Sequence, residues 1–196
     1  TGVALSRAQI KQLLDEHPDI PVVIDEAYVD FGAESAIPLV AEHPNLLVVQ
    51  TMSKSRALAG LRVGYAIGDA GLIEGLVRVK DSFNSYPLGR PAQAGAIASV
   101  EDEAFFQASC AAVIAERGRL TAGLEALGFA VLPSSANCVF ARHGARGGAE
   151  LAAALRERAV IVRHFGAART ADYLRITVGT PAQTQRLLDA LGEILG

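Results

Sequence analysis

The sequence predicts an α/β protein: a mostly parallel sheet with flanking helices, followed by a smaller C-terminal α/β unit. Three observations lead there. Short continuous apolar runs, "VVI" at 22–24 and "LLVVQT" at 46–51, suit strands covered on both faces. Segments with helical spacing alternate with them, as in layered α/β sheets. A long Ala-rich helical pattern over 103–127 then separates these strands from a second strand-containing region. The expected domains are residues 1–115 and 116–196.

The elements follow in order. "LSRAQIKQLLDEHPD" opens with Ser6 and Gln9 in capping-box spacing and sets Ile10, Leu13 and Leu14 on one helical face. Pro18 and Pro21 stop that helix, and the strand at 22–24 follows. Residues 36–43 are expected as a short helix, 45–51 as the second strand and "RVGYAIG" at 62–68 as the third. Asp69 can cap a helix carrying Leu72, Ile73, Leu76, Val77 and Val79. "FNSYPLGRP" at 83–91 is a turn-rich break before another apolar helix. Gly128 suits the C′ position of the long helix. Beyond it come strand-like "ANCVFARH", a helix at 148–158, then "AVIVRHF" and "DYLRITVG". The last helix starts at Thr180-Pro181, with Gln183 in capping-box position and Leu187, Leu188, Leu191 and Ile194 as its stripe.

Composition narrows the function. Hydrophobic residues make up 51% and charged residues 20%, enough for a sizeable core. The net charge is −3, and no basic run tracks a phosphate backbone, so nucleic acid is not an expected partner. No apolar run approaches the roughly 20 residues of a membrane span. Cys110 and Cys138 lack metal or redox spacing and read as free thiols in a reducing cytoplasm. The four histidines are scattered, so no metal site is expected.

Chemistry concentrates at strand ends, where open α/β sheets bind ligands. Asp25 follows the first strand, Ser53-Lys54 the second, and Arg62 lies eight residues past Lys54. A lysine near cations or in an apolar pocket has a depressed pKa and can form an imine with a carbonyl. Arginine and serine in a turn suit a phosphate. A carboxylate can hold a protonated ring nitrogen, and Tyr28 can donate to a phenolic oxygen. Aldehyde, phosphate, pyridinium and phenolate together describe pyridoxal 5′-phosphate. Each residue alone has a plainer reading as a cap, a solvated amine or a surface ion-pair member; the ordered set is what favours the cofactor. A rival of another class takes "VVIDEA" as the magnesium-binding strand of a P-loop ATPase fragment. It needs a G-x-x-x-x-G-K-[ST] loop, and the chain contains none. Ser53 and Lys54 are adjacent rather than in S-x-x-K spacing, so a hydrolase dyad is discounted.

"VVIDEAYVDF", "TMSKSRALAGLRVGYAIG", "FNSYPLGRPAQAGA" and "YLRITVGT" together resemble the fold-type-I pyridoxal-phosphate aminotransferases, and within them the histidinol-phosphate aminotransferase group. The resemblance runs through essentially all 196 residues. It implies a partial cofactor-binding large domain up to residue 115 and the small domain after it. Lys54 looks like the lysine that bonds the cofactor covalently and shuttles a proton. Asp25 resembles the partner of the pyridinium nitrogen, Tyr28 that of the phenolic oxygen, and Ser53 and Arg62 match phosphate ligands. Arg175 resembles the clamp on the substrate α-carboxylate, and Arg163 an arginine recognising a distal phosphate. The implied activity is amino transfer from histidinol phosphate, or a related L-amino acid, to 2-oxoglutarate in amino-acid biosynthesis. A decarboxylase or an aromatic aminotransferase of the same fold is the alternative. A cytoplasmic homodimer is the implied setting. Thr1-Gly2 matches only the tail of the family's N-P-x-N-P-T-G segment. The upstream phosphate loop and the ring that stacks on the cofactor are therefore expected outside this chain. It looks like a C-terminal fragment, expected to be inactive alone.

Overall fold

A computed structural model describes residues 1–196, which divide into two compact units. One comprises Leu5–Ser109; the other comprises Cys110–Gly196 together with Thr1–Ala4.

The first unit opens with α1 (Arg7–Glu16), and its capping box forms: Ser6 accepts from Gln9 N–H while Gln9 Oε1 accepts from Ser6 N–H at 2.9 Å. Ile10 and Leu14, one turn apart, are its buried face. Strand β1 (Val22–Asp25) pairs in parallel with β2 (Leu46–Thr51), with Asp25 opposite Val49. The connection contains two short 3-10 turns, Val29–Phe31 and Ile37–Ala41. The second stands where a helix is expected at 36–43; Pro38 is tolerated in its first turn, but Pro44 disfavours helical backbone at His43, so the turn stops at Ala41. Ala36, Leu39, Leu46 and Val48 join Ile10 and Leu14 in one buried cluster.

Strand β3 (Gly64–Gly68) runs antiparallel to β2, with Thr51 opposite Gly64, so this three-stranded sheet is mixed. The physical reason is length: residues 52–63 form a tight loop with no crossover α-helix, and only an antiparallel partner can be reached that way. Helices α2 (Ala70–Phe83) and α3 (Arg90–Glu101) follow, and neither contributes a fully buried side chain. Asp69 caps α2 through Gly71 N–H as expected. The unit boundary falls within α4 (Glu103–Ala126).

In the second unit Gly128 takes the left-handed conformation, φ +83°, that ends α4. Its sheet is antiparallel in the order β4 (Phe129–Val131), β5 (Cys138–His143), β7 (Tyr173–Thr177), β6 (Arg163–His164). Leu174 and Ile176 of β7 enter the core while Arg175 and Thr177 are exposed, the two-residue alternation of a half-covered strand. Leu151 and Leu155 of α5 (Gly148–Glu157) close that core with Leu187 and Leu191 of α6 (Pro181–Leu195). The final capping box, Thr180 with Gln183, forms as read. No helix is long and apolar enough to cross a membrane.

Candidate active site

The topology gathers four of the five expected cofactor residues by direct register. Parallel β1 and β2 point their carboxyl ends the same way, so Asp25 and the Ser53-Lys54 pair share a rim. Antiparallel β3 begins where β2 ends, which delivers Arg62 to that rim as well. Tyr28 reaches it through the turn after β1: Lys54 Nζ lies 5.5 Å from the Tyr28 ring centroid.

Local bonds fix each position. Asp25 Oδ1 accepts the Ala27 N–H at 2.9 Å, an Asx turn that carries the chain off the strand; Oδ2 takes no protein hydrogen bond. Val29 N–H donates to Glu26 O, and Phe31 N–H to Tyr28 O, so Tyr28 sits at the head of a short bonded turn. Ser53 is braced by Thr51, whose Oγ1 accepts the Ser53 N–H at 3.1 Å and lies 3.0 Å from Ser53 Oγ.

The loop carrying Lys54 is folded onto itself. Met52 N–H donates to Val63 O, Leu58 N–H to Met52 O, and Ala57 N–H to Lys54 O. Two of its residues other than glycine are left-handed, Ala57 at φ 54° and Arg62 at φ 56°. Each costs of order 1–3 kcal/mol, and such conformations cluster at functional sites. Arg62 ends a short turn and donates from Nη1 to Ala59 O at 2.9 Å. No carboxylate lies within ion-pair distance of Lys54 or Arg62, so both exposed cations remain available to an anion.

Sequence reading missed the supports beneath this rim. Glu26 is 7% exposed and accepts from Ala36 N–H (2.5 Å), Ser35 Oγ–H (2.8 Å) and the Gln50 amide (2.8 Å). Gln50 Oε1 in turn accepts from the Tyr65 hydroxyl at 2.6 Å. Burial, assisted by the Asp30 charge, pushes the Tyr65 phenol up from its ordinary value, while Arg56 opposes the shift. Since both Glu26 oxygens face inward partners, the second acid of "VVIDEA" is not presented to a metal. Ser55 donates to Asp30 at 2.5 Å. Arg56 lies 3.9 Å over the Phe106 ring and donates to Ser99 O at 2.5 Å. Glu26 was legible only as half of the Asp-Glu pair; nothing in the sequence separated an inward acid from an outward one.

The two expected substrate arginines lie in the second unit and are brought together there. Arg163 and Arg175 are register partners on β6 and β7, and both are exposed. They flank one ring, with guanidinium-to-centroid distances to Phe165 of 5.3 and 5.5 Å. Phe165 leans on Phe140, which stacks on Tyr173 at 4.6 Å and an interplanar angle of 2°. Neither arginine has an acidic partner. Two neighbouring forks on an aromatic plate suit a carboxylate or a phosphate.

The family model for class I and II aminotransferases matches residues 1–191. The chain belongs to that family. A histidinol-phosphate aminotransferase 2 of Rhizobium meliloti (strain 1021) is 65% identical over 195 residues, covering 100% of this chain and 56% of that protein. A histidinol-phosphate aminotransferase of Acetobacter pasteurianus is 64% identical, covering 100% and 55%. Among solved structures, the histidinol-phosphate aminotransferase of Clostridium acetobutylicum superposes with a TM-score of 0.91 at 22% identity, covering 100% of this chain and 60% of that one. That likeness shows the fold. The Sinorhizobium meliloti enzyme in complex with pyridoxal-5′-phosphate gives 0.86 at 25% identity, covering 100% and 54%. The chain thus spans about half the length of the curated relatives it matches. Its fold is that of the corresponding portion of fold-type-I aminotransferases.

Proposed function

We propose that the whole protein is a pyridoxal-phosphate-dependent aminotransferase acting on histidinol phosphate, or a related L-amino acid, with 2-oxoglutarate as acceptor. The observation that carries this reading is the Lys54 amine poised over the Tyr28 ring, on the rim where Asp25 ends its strand. Residues 1–115 would form the C-terminal part of its large domain and 116–196 its small domain, in a cytoplasmic homodimer. The 59–65% identity of relatives named histidinol-phosphate aminotransferase, aligned over 99–100% of this chain and about half of their own length, favours that donor over an aromatic amino acid or a decarboxylation.

The residues present fit the cofactor. The Asp25 oxygen without a protein bond can hold a proton on the ring nitrogen. The Tyr28 hydroxyl can donate to the ring oxygen, and Ser53 with Arg62 can bind the phosphate. Bound pyridoxal phosphate supplies the carbonyl for amine exchange and the electron sink that labilises the substrate Cα–H bond. Lys54, on the same rim, would supply the amine that holds the cofactor and could take and return the substrate Cα proton. Arg175 clamps a carboxylate where the donor has one. Arg163, its register partner, holds the distal phosphate. Both would bind through planar guanidinium forks that match the geometry of carboxylate and phosphate.

Half-reactions of the whole protein with histidinol phosphate, phenylalanine and threonine phosphate test the donor. Histidinol phosphate should discharge the cofactor's visible absorbance fastest. Faster reaction with phenylalanine, or carbon dioxide release from threonine phosphate, would replace the proposed substrate.

A further inference from the structure

The Lys54 side chain is exposed, and its amine lies 5.5 Å from the Tyr28 ring centroid. An exposed cation–π contact is too weak to hold a four-carbon stem in one place. What holds the amine must therefore act through the backbone on either side. On the N-terminal side Ser53 is tied to Thr51. On the C-terminal side the next side chain turns inward: Ser55 is 8% exposed, and its hydroxyl donates to Asp30 Oδ2 at 2.5 Å. A buried hydroxyl donating to a carboxylate is a short, charge-assisted bond.

Asp30 is tied to Tyr28 by local structure. It lies in the turn Val29–Phe31, headed by Tyr28 and closed by the Phe31 N–H bond to Tyr28 O. The Ser55–Asp30 bond thus joins the residue directly after the lysine to the turn that carries the ring beneath the lysine. Arg56, next in sequence, fastens the loop elsewhere, to Ser99 O and over Phe106. The loop is therefore anchored at 53, 55 and 56, with Lys54 as its outward side chain.

We propose that Asp30, acting through Ser55, is a positioning residue that sets the Lys54 amine against the Tyr28 ring. This rests on the cofactor reading above. Asp30 touches neither cofactor nor substrate in this account; its effect is transmitted by one hydrogen bond spanning 25 residues.

The test uses the whole protein loaded with pyridoxal phosphate, following the pH midpoint of the bound cofactor's visible absorbance change and the thermal unfolding midpoint. Ser55→Ala and Asp30→Ala should move the pH midpoint in the same direction by about one unit. Asp30→Asn keeps a weaker, neutral acceptor for the Ser55 hydroxyl and should shift the midpoint clearly less than Asp30→Ala. The double variant Ser55→Ala/Asp30→Ala should shift it no further than either single change. Should Ser55→Ala unfold, Ser55→Cys, nearly isosteric and a weak donor, should give an intermediate shift. Variants with lowered thermal midpoints but an unmoved pH midpoint would overturn the proposal, leaving a purely structural bond. Equal shifts in Asp30→Asn and Asp30→Ala would also overturn it, because the charge would then act directly. A wild-type protein with no cofactor absorbance would remove the cofactor reading itself, and this proposal with it.

Discussion

The two units are held together by different means. The second has a closed apolar core, with Leu120, Leu124, Val139, Leu151, Leu155, Leu174 and Leu191 all at 1% exposure or less. The first has a smaller buried cluster, and its helices α2 and α3 bury nothing completely; Val79, Phe83, Ile97 and Val100 stay largely exposed. Large apolar side chains left this exposed suit contact with further protein. Order at the first unit's rim comes instead from directed polar bonds: Glu26 to three donors, Ser55 to Asp30, and Thr51 to Ser53. Packing makes one unit stable; hydrogen bonding makes the other unit's loops exact in placement. That division suits a rim that must hold an amine and a carboxylate in register.

The contrast can be broken by substitution. Leu174→Ala should cost the most, about 2–5 kcal/mol, because it empties a fully enclosed site between β7 and the covering helices. Denaturant unfolding measures this, and a loss below 1 kcal/mol would mean the core is looser than described. Glu26→Ala should cost about 1–3 kcal/mol by leaving the buried Ala36 N–H and Gln50 amide without their acceptor. Its distinguishing mark is local: hydrogen exchange should accelerate at residues 35–36 before the sheet as a whole opens. Val79→Ala, on the open face of α2, should stay within about 0.5 kcal/mol. An effect as large as that of Leu174→Ala would show that this face is already covered.

A smaller effect sharpens the electrostatic side. The Thr184 hydroxyl faces the Glu116 carboxylate without a bond of good geometry, and Arg119 Nε lies 3.0 Å from it. Together they hold Glu116 below its ordinary value of 4.5, against the opposing effect of burial. A carboxyl group depressed in the folded state stabilises fully above its unfolded value and loses that contribution as pH falls through the folded one. Stability should therefore drop on acidification below about pH 4.5, and Glu116→Gln should flatten that drop. An identical acid limb in the variant would remove Glu116 from the explanation.

Much of the fold was legible because its signals are local. Both capping boxes, the Asp69 cap and the Gly128 stop are decided within four residues of chain, and all are present. Strand β4 escaped notice because three residues after Gly128 carry no periodicity. The β6 pairing shrank to Arg163–His164 within a longer apolar run, since neighbours decide how much of a run is hydrogen-bonded. The direction of β3 depends on the compact loop at 52–63, whose closing bonds involve no sequence pattern. At the site the outward residues were readable as a set. Their supports were not: Glu26 meets Gln50 across 24 residues and Ser55 meets Asp30 across 25, and such pairings exist only once the sheet has formed.

The central claim is that Lys54 is the amine that holds the cofactor. Borohydride reduction of the whole protein incubated with pyridoxal phosphate, followed by peptide mass analysis, tests it directly. The account predicts one stoichiometric pyridoxyl adduct on the peptide containing "TMSKSR", at Lys54, lost in Lys54→Ala. An adduct on Lys11 or Lys80 instead, or undiminished labelling of Lys54→Ala, would contradict it.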